Sequence, residues 1–227
     1  MESEEPQDVW ATNGITFWAL FSAMLVKLQP ESVLEFGGGR STTFLADYAF
    51  RFGKSGLTIE QSEAWHQKIL SDLRLMNVSG YDVHHVPLEE GAGPTGWYEF
   101  TEVQRLIGDR TYELVFIDGP VGDGRRNERG QEIIREASRD AKLIIVDDVQ
   151  REHNMTFFDS LTESTPARHK FIHDYETLGN LIAFGVSPEW KDQVARCFRF
   201  FGLTYTEGTS DGGGARLSRL WESVRGR

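Results

Sequence analysis

Cysteine is almost absent, with Cys197 the single one in 227 residues. No disulfide can form within the chain, which suits a reducing compartment and makes a cytoplasmic location the expectation. Cys197 is then read as a buried structural thiol. Long apolar runs are also missing. The longest mostly apolar stretch, Ile15 to Val26, is too short to span a bilayer and is broken by Thr16 and Ser22. The first residues, Met1-Glu2-Ser3-Glu4-Glu5, are acidic where a signal or transit segment would be basic or poor in acids. Basic charge is scarce: 24 Lys and Arg face 35 Asp and Glu, for a net charge of −11. Nucleic acid and anionic membrane are therefore not expected as partners, because neither surface attracts an acidic protein. The shortage is uneven. From Lys191 onward seven Lys and Arg stand against four Asp and Glu, so a local basic patch stays open.

What is present is ordinary globular material, 39% hydrophobic, 26% charged and 12% aromatic, which excludes a collagen-like, low-complexity or disordered chain. The length suits one large domain with appendages. No internal repeat is found. We expect a flexible acidic segment over 1–12, a domain over 13–205 and a flexible Gly-rich, basic tail over 206–227.

The hydrophobic pattern alternates between two periods. Asn13 to Leu28, Ser41 to Phe52, Ser62 to Met76, Glu128 to Ala137 and Asn154 to Leu161 read as helices. Trp65, Ile69, Leu73 and Met76 share one face of the third, with Ser62 as its cap. Ser32 to Phe36, Leu57 to Glu60, Tyr81 to Leu88, Glu113 to Ile117 and Leu143 to Val146 read as strands. The last two are continuous apolar runs, as expected of strands buried on both faces of a parallel sheet. His169 to Tyr175 and Asn180 to Val186 follow, joined by only Glu176-Thr177-Leu178-Gly179. That connection admits an antiparallel hairpin and is too short for a crossover helix. Strand–helix alternation ending in a hairpin predicts a doubly wound α/β sandwich.

The most informative segment is Val33-Leu34-Glu35-Phe36-Gly37-Gly38-Gly39-Arg40-Ser41-Thr42. A strand, a glycine turn and a helix start let backbone approach a ligand and offer free N–H groups to a negative group. The dinucleotide fingerprint needs a third glycine where Thr42 stands. The phosphate loop fits less well, because Tyr48 occupies the place of its first glycine. Glu35 separates the remaining choices. An acid beside the turn repels a pyrophosphate but accepts a hydrogen bond from an ammonium. S-adenosylmethionine carries an ammonium, a carboxylate and a sulfonium. Its carboxylate suits the Ser41/Thr42 helix start, its cationic side suits Glu35, and Glu60 is placed for the ribose hydroxyls. Val86-Pro87-Leu88 is a weaker match for the adenine.

Together with Phe116-Ile117-Asp118-Gly119-Pro120 and Ile145-Val146-Asp147-Asp148, these motifs resemble the class I, Rossmann-like S-adenosylmethionine-dependent methyltransferases. The resemblance runs from about Ser32 to Val186. It implies a seven-stranded, mostly parallel sheet whose last strand is antiparallel. It also implies cofactor contacts from Glu35, Phe36, Gly37, Gly38, Gly39, Ser41, Thr42, Glu60, Gln61 and Asp118.

Asp118, Asp147 and Asp148 end two strands that this topology makes neighbours. Three uncompensated carboxylates on one rim are unfavourable, and a bound cation or a proton relieves them. Hard oxygen ligands suit Mg²⁺, Mn²⁺ or Ca²⁺. The arrangement is similar to that of metal-dependent O-methyltransferases of the catechol type, which have Asp-Asn where this chain has Asp147-Asp148. No lysine follows Asp118, where that family places its base. The alternative is that these acids cap loops or orient the cofactor without a metal. Asp118-Gly119-Pro120-Val121-Gly122 followed by Arg125, Arg126 and Arg129 resembles a segment of plant glucuronoxylan O-methyltransferases. Those arginines suit an anionic acceptor or, equally, a solvated helix face.

Asp118, Asp148 and His153 are the candidate catalytic residues, with His153 as the proton acceptor. Gly91 to Gly96, leading into Trp97, Tyr98 and Phe100, reads as a mobile lid or as a plain loop with core aromatics. The expected activity is methylation of a hydroxyl on a small molecule or saccharide. A nicotinamide-dependent oxidoreductase or epimerase, and a non-catalytic binding module of the same fold, are the alternatives. The acceptor's identity and the oligomeric state are beyond the sequence.

Overall fold

Short apolar runs separated by amphipathic stretches fold, in the computed structural model of the chain, into one sheet with helices on both faces. The structure describes residues 12–89, 96–122, 127–174 and 181–209. The strands are β1 (Ser32–Phe36), β2 (Ser55–Glu60), β3 (Asp82–His85), β4 (Leu114–Ile117), β5 (Leu143–Val146), β6 (His169–Asp174), β7 (Leu181–Val186) and β8 (Thr206–Thr209). The helices are α1 (Thr12–Leu28), α2 (Arg40–Phe52), α3 (Glu63–Leu75), α4 (Phe100–Ile107), α5 (Glu128–Ala137), α6 (Glu152–Glu163) and α7 (Pro188–Phe200). The strand order is β3-β2-β1-β4-β5-β7-β6-β8, with β1 to β5 parallel and β7 antiparallel to β5.

Alternation along the strands assigns each face its helices. Leu34, Phe36, Val115, Ile117, Ile144 and Val146 join a core with Val103 of α4, Ile134 of α5 and Phe157 and Leu161 of α6. Val33, Leu114, Phe116, Leu143 and Ile145 point the other way, onto Phe21 and Leu25 of α1, Leu45 of α2, Ile69 of α3 and Phe198 of α7. Both faces are therefore dry, and the functional groups lie along the carboxyl edge of the parallel strands.

The expected doubly wound sandwich is present, with an eighth strand in place of a seven-stranded edge. Residues 206–209 lie in the segment read as a flexible tail, yet they pair antiparallel with β6, Thr206 opposite Ile172 and Thr209 opposite His169. Thr-Glu-Gly-Thr has no apolar alternation. What seats it is its neighbour Tyr205, whose ring lies 4.9 Å from Phe198 and 5.1 Å from Phe171, and His173, whose Nδ1 bonds the Thr204 carbonyl at 2.8 Å.

Two helices outside the sequence reading, α4 and α7, have local start signals. The Glu99 side chain accepts from the Thr101 and Glu102 amides, and Pro188 sits in the first turn of α7. In α3, Ser62 caps as expected, at 3.3 Å from the Trp65 amide, and Ile69 and Leu73 are buried. Trp65 and Met76 are 39% and 44% exposed, so the buried stripe is narrower than the spacing suggests. Residues 1–11, 90–95, 123–126, 175–180 and 210–227 lie outside the described part, and with them Arg125, Arg126, the hairpin connection and most of the expected lid and tail.

Trp97 and Tyr98 are fully buried against Phe36, with ring centroids 5.5 and 6.1 Å away, so these aromatics are core. Leu88 pairs antiparallel with Tyr98. Gly130 of α5 packs on the face of Trp97, and a Cβ there would lie 2.5 Å from Trp97 Cδ2. Replacing a helical glycine by alanine normally stabilises by about 1 kcal/mol. Here the indole ring cannot move aside, so Gly130→Ala is expected to destabilise by about 1–3 kcal/mol. Urea denaturation of the two proteins measures the sign.

Candidate active site

The glycine turn follows β1, and each glycine has a separate reason to be there. Gly37 has φ +87°, and a Cβ on it would run into the backbone of Gly119, just past β4. The Phe36 carbonyl accepts from both the Asp118 and Gly119 amides, at 2.8 and 2.7 Å, which draws the ends of β1 and β4 together. A Cβ on Gly38 would press on Ile69 and Thr58, whereas the space beside Gly39 is open. The Gly38 and Gly39 amides are already bonded, to Glu60 Oε2 at 2.7 Å and Thr42 Oγ1 at 2.9 Å. Neither of these two amides is thus a free donor, and the sequence reading places the unpaired N–H groups at the helix start instead. Gly39 is the N-cap of α2 and has no side chain with which to accept from the helix's first amides. That helix start remains the natural seat for a carboxylate.

Glu35 lies under the turn and is completely buried. Its Oε2 accepts from Thr42 Oγ1 at 2.6 Å and Thr58 Oγ1 at 2.7 Å, and Thr58 lies 3.1 Å from the Tyr81 hydroxyl. Oε1 has no hydrogen-bond partner within the protein. Burial raises the Glu35 pKa to about 7, against the pull of the Ser41, Thr42 and Thr58 hydroxyls. The sequence reading set Glu35 toward the donor's cationic side; in the structure it is buried and braces the turn from below, tying β1 to β2 and to the start of α2. Ser41 and Thr42 are buried with it.

Glu60 ends β2 and is also buried. Its two oxygens hold the Gly38 and Ser62 amides, at 2.7 and 2.6 Å, and burial shifts its pKa upward in spite of them. Each oxygen retains a second lone pair for a further donor. Gln61 joins two loops, accepting from the Val121 amide through Oε1 at 3.3 Å while its carbonyl contacts His85 Nε2 at 3.0 Å. Phe36 contributes its backbone here; its side chain belongs to the core.

Asp118 and Asp147 follow β4 and β5 in register, since Ile117 pairs with Val146, and Asp118 is exposed. Asp148 is differently held. It adopts φ +56°, a conformation that aspartate enters more readily than most residues. Its Oδ1 accepts from Gln150 Nε2 at 2.9 Å, its Oδ2 lies 3.3 Å from Arg151 Nη2, and its carbonyl accepts from Asn154 Nδ2 at 3.0 Å. Gln150 in turn accepts from the Leu181 amide at 2.9 Å, fastening the loop to β7. Among the described residues, no three His, Cys, Asp or Glu side chains are placed to hold a metal ion. The Asp118–Asp147–Asp148 ligand set stays an expectation, and of its members Asp148 already faces a guanidinium, which suits a divalent ion poorly.

His153, in the first turn of α6, lines a cleft of about 680 Å³ with Glu128 and Gln131 of α5 and Glu152, Thr156 and Ser160 of α6. Arg129 lies over the Phe100 ring, 4.1 Å from its centroid, which ties down the one described member of the expected arginine group. Among the described residues no helix is long and apolar enough to cross a membrane.

No protein-family model matches the chain, and no curated protein matches it. Solved structures do. An O-methyltransferase from Bacillus cereus in complex with S-adenosylhomocysteine superposes with TM-score 0.55 at 22% identity, covering 81% of this chain and 84% of that one. Cofactor-bound Rv0187 from MTB gives 0.56 at 21% identity, covering 81% and 83%. Precorrin-6y C5,15-methyltransferase from Geobacter metallireducens gives 0.51 at 11%, covering 80% and 92%. The chain has the class I methyltransferase fold. Within that fold the glycine turn, Glu60, Asp118 and the Asp147-Asp148 pair lie where ligands bind open α/β sheets, beyond the carboxyl ends of the strands.

Thr58, Tyr81, Gln150, Arg151 and Asn154 were not read as site residues from the sequence. Arg151 had a local signal, three residues after Asp148. Gln150 and Asn154 are also near Asp148 in the chain, whereas Thr58 and Tyr81 are brought to Glu35 by other parts of the sheet.

Glu35 imposes a pH dependence on stability. Its folded pKa of about 7 lies above the ordinary 4.5, so the folded state holds the proton more tightly. As pH rises through 4.5 the unfolded chain ionises first, and stability falls until both states are ionised above about 7. Glu35→Gln keeps an oxygen for both threonine hydroxyls and removes the buried charge. At pH 8 it is expected to stabilise by on the order of 3 kcal/mol, with little effect at pH 4.5. Denaturant melts across this range check the sign.

Proposed function

We propose that this protein transfers a methyl group from S-adenosylmethionine to an oxygen nucleophile, a hydroxyl of a small molecule or saccharide. The observation that carries the reading is the uncapped start of α2 beside Glu60, at the carboxyl edge of a methyltransferase fold. The helix start suits the donor's carboxylate, and the remaining lone pairs of Glu60 suit the ribose hydroxyls. The acids of the rim suit a cationic ligand. When bound, S-adenosylmethionine supplies a methyl group activated by a sulfonium.

The chain's own residues then have defined tasks. Glu60 and the α2 amides position the donor, and the Glu35 network fixes both. Asp118 orients the reacting end. Asp147 and Asp148 position the acceptor hydroxyl, and His153, from the neighbouring cleft, takes its proton. Alignment is the main source of rate, because an in-line displacement gains most from holding the reacting groups in a near-attack geometry. Two of the structural neighbours support the donor: one is an O-methyltransferase complex with S-adenosylhomocysteine, the other is cofactor-bound. The O-methyl preference is supported by the acid-ended strands. The free thiol of Cys197 suits a cytoplasmic setting. A nicotinamide enzyme is disfavoured, since Thr42 fills the third glycine position and is buried against Glu35.

Calorimetry with S-adenosylhomocysteine tests the proposal. One molecule is expected to bind per chain, and Glu60→Gln to weaken it by about tenfold, the loss of one bond to a charged group. Binding of NADH in place of S-adenosylhomocysteine would overturn the reading.

A further inference from the structure

We propose that Arg151 is the resident counter-cation of Asp148, standing where a divalent ion would otherwise meet that carboxylate, and that the protein works there without a metal. The inference rests on the methyl-transfer reading for its consequence but on separate observations for its substance. Asp118 and Asp147 are brought to one level by the β4–β5 register, and Asp148 follows directly. Such a group of carboxylates calls for positive charge. The structure supplies it from within, through the 3.3 Å approach of Arg151 Nη2 to Asp148 Oδ2.

The second oxygen of Asp148 is engaged as well. Oδ1 accepts from Gln150, which is itself held by the Leu181 amide of β7, and the Asp148 carbonyl is held by Asn154. To ligate an ion, Asp148 would have to break with Arg151 or Gln150. The ion would then sit within a few ångströms of a guanidinium, which titrates at no accessible pH. At a separation of about 5 Å and an effective dielectric of about 20, that repulsion alone exceeds a tenfold loss of affinity. Asp148 also adopts its left-handed backbone conformation within this set of bonds, so the arrangement is built into the loop.

The test is a titration of the EDTA-treated full chain with Mn²⁺, followed by electron paramagnetic resonance and calorimetry. Wild type is expected to show no saturable binding in the micromolar range, and Arg151→Lys to behave likewise. Arg151→Ala frees Asp148 and is expected to bind Mn²⁺ at least about tenfold more tightly. Adding Asp148→Asn should abolish that gain. Arg151 is half exposed, so the variants should fold; circular dichroism checks this, and Arg151→Gln serves as a second variant. Saturable Mn²⁺ binding by wild type overturns the proposal, as does the absence of any gain in folded Arg151→Ala and Arg151→Gln. S-adenosylhomocysteine calorimetry on wild type is read separately. Failure there removes the methyl-transfer reading and leaves the cation assignment standing on the Mn²⁺ result.

Discussion

A fully buried carboxylate organises the carboxyl edge of this sheet. Glu35 draws two threonine hydroxyls onto one oxygen, one from the start of α2 and one from the middle of β2. Through Thr42 it reaches the Gly39 amide, and through Thr58 the Tyr81 hydroxyl. Burying an acid this deeply is costly, which is why its pKa moves toward neutrality. What the fold gains is a glycine turn that cannot wander. The turn is held from below by Glu35, from the side by Glu60 and from behind by the contact of Gly37 with Gly119. A ligand therefore meets backbone already in place, and little ordering is left for binding to do.

A second network does the same for the loop after β5. There the central residue is Asp148, fixed through Gln150 to β7, through Asn154 to α6 and through Arg151 to a positive charge. The two networks differ in how they handle negative charge. Hydroxyls surround Glu35, so its charge is relieved by taking up a proton near neutrality. A guanidinium faces Asp148, so its charge is met directly. Between them lie Asp118 and Asp147, the acids that a cationic donor would meet.

Much of this was legible in the residues. Leu114–Ile117 and Leu143–Val146 announce central parallel strands because no polar group can be tolerated on either face. Glu35-Phe36-Gly37-Gly38-Gly39, Glu60 and the acid-ended strands come together at the carboxyl edge because a chain that alternates strand and helix has little freedom in where its strands end. Other features were not legible. β8 has no apolar pattern, and only the packing of Tyr205 on Phe198 and Phe171 gives it a partner. Trp65 and Met76 keep helical spacing with Ile69 and Leu73, but α3 presents only a narrow face to the sheet.

Local pattern determined the elements, their order and the row of acids at the strand ends, because hydrophobic period and turn chemistry act over a few residues. Which way those acids face was decided by tertiary structure. Glu35 was read from its place beside the glycine turn, and its burial comes from the alternation of β1, which points it beneath α2. The three aspartates were read as a metal set, but Arg151 and Gln150 already hold Asp148. The charge on Asp148 is met by a residue of its own loop, but the desolvation of Glu35 depends on neighbours far apart in the chain, and these exist only once the sheet has closed and the helices are seated on it.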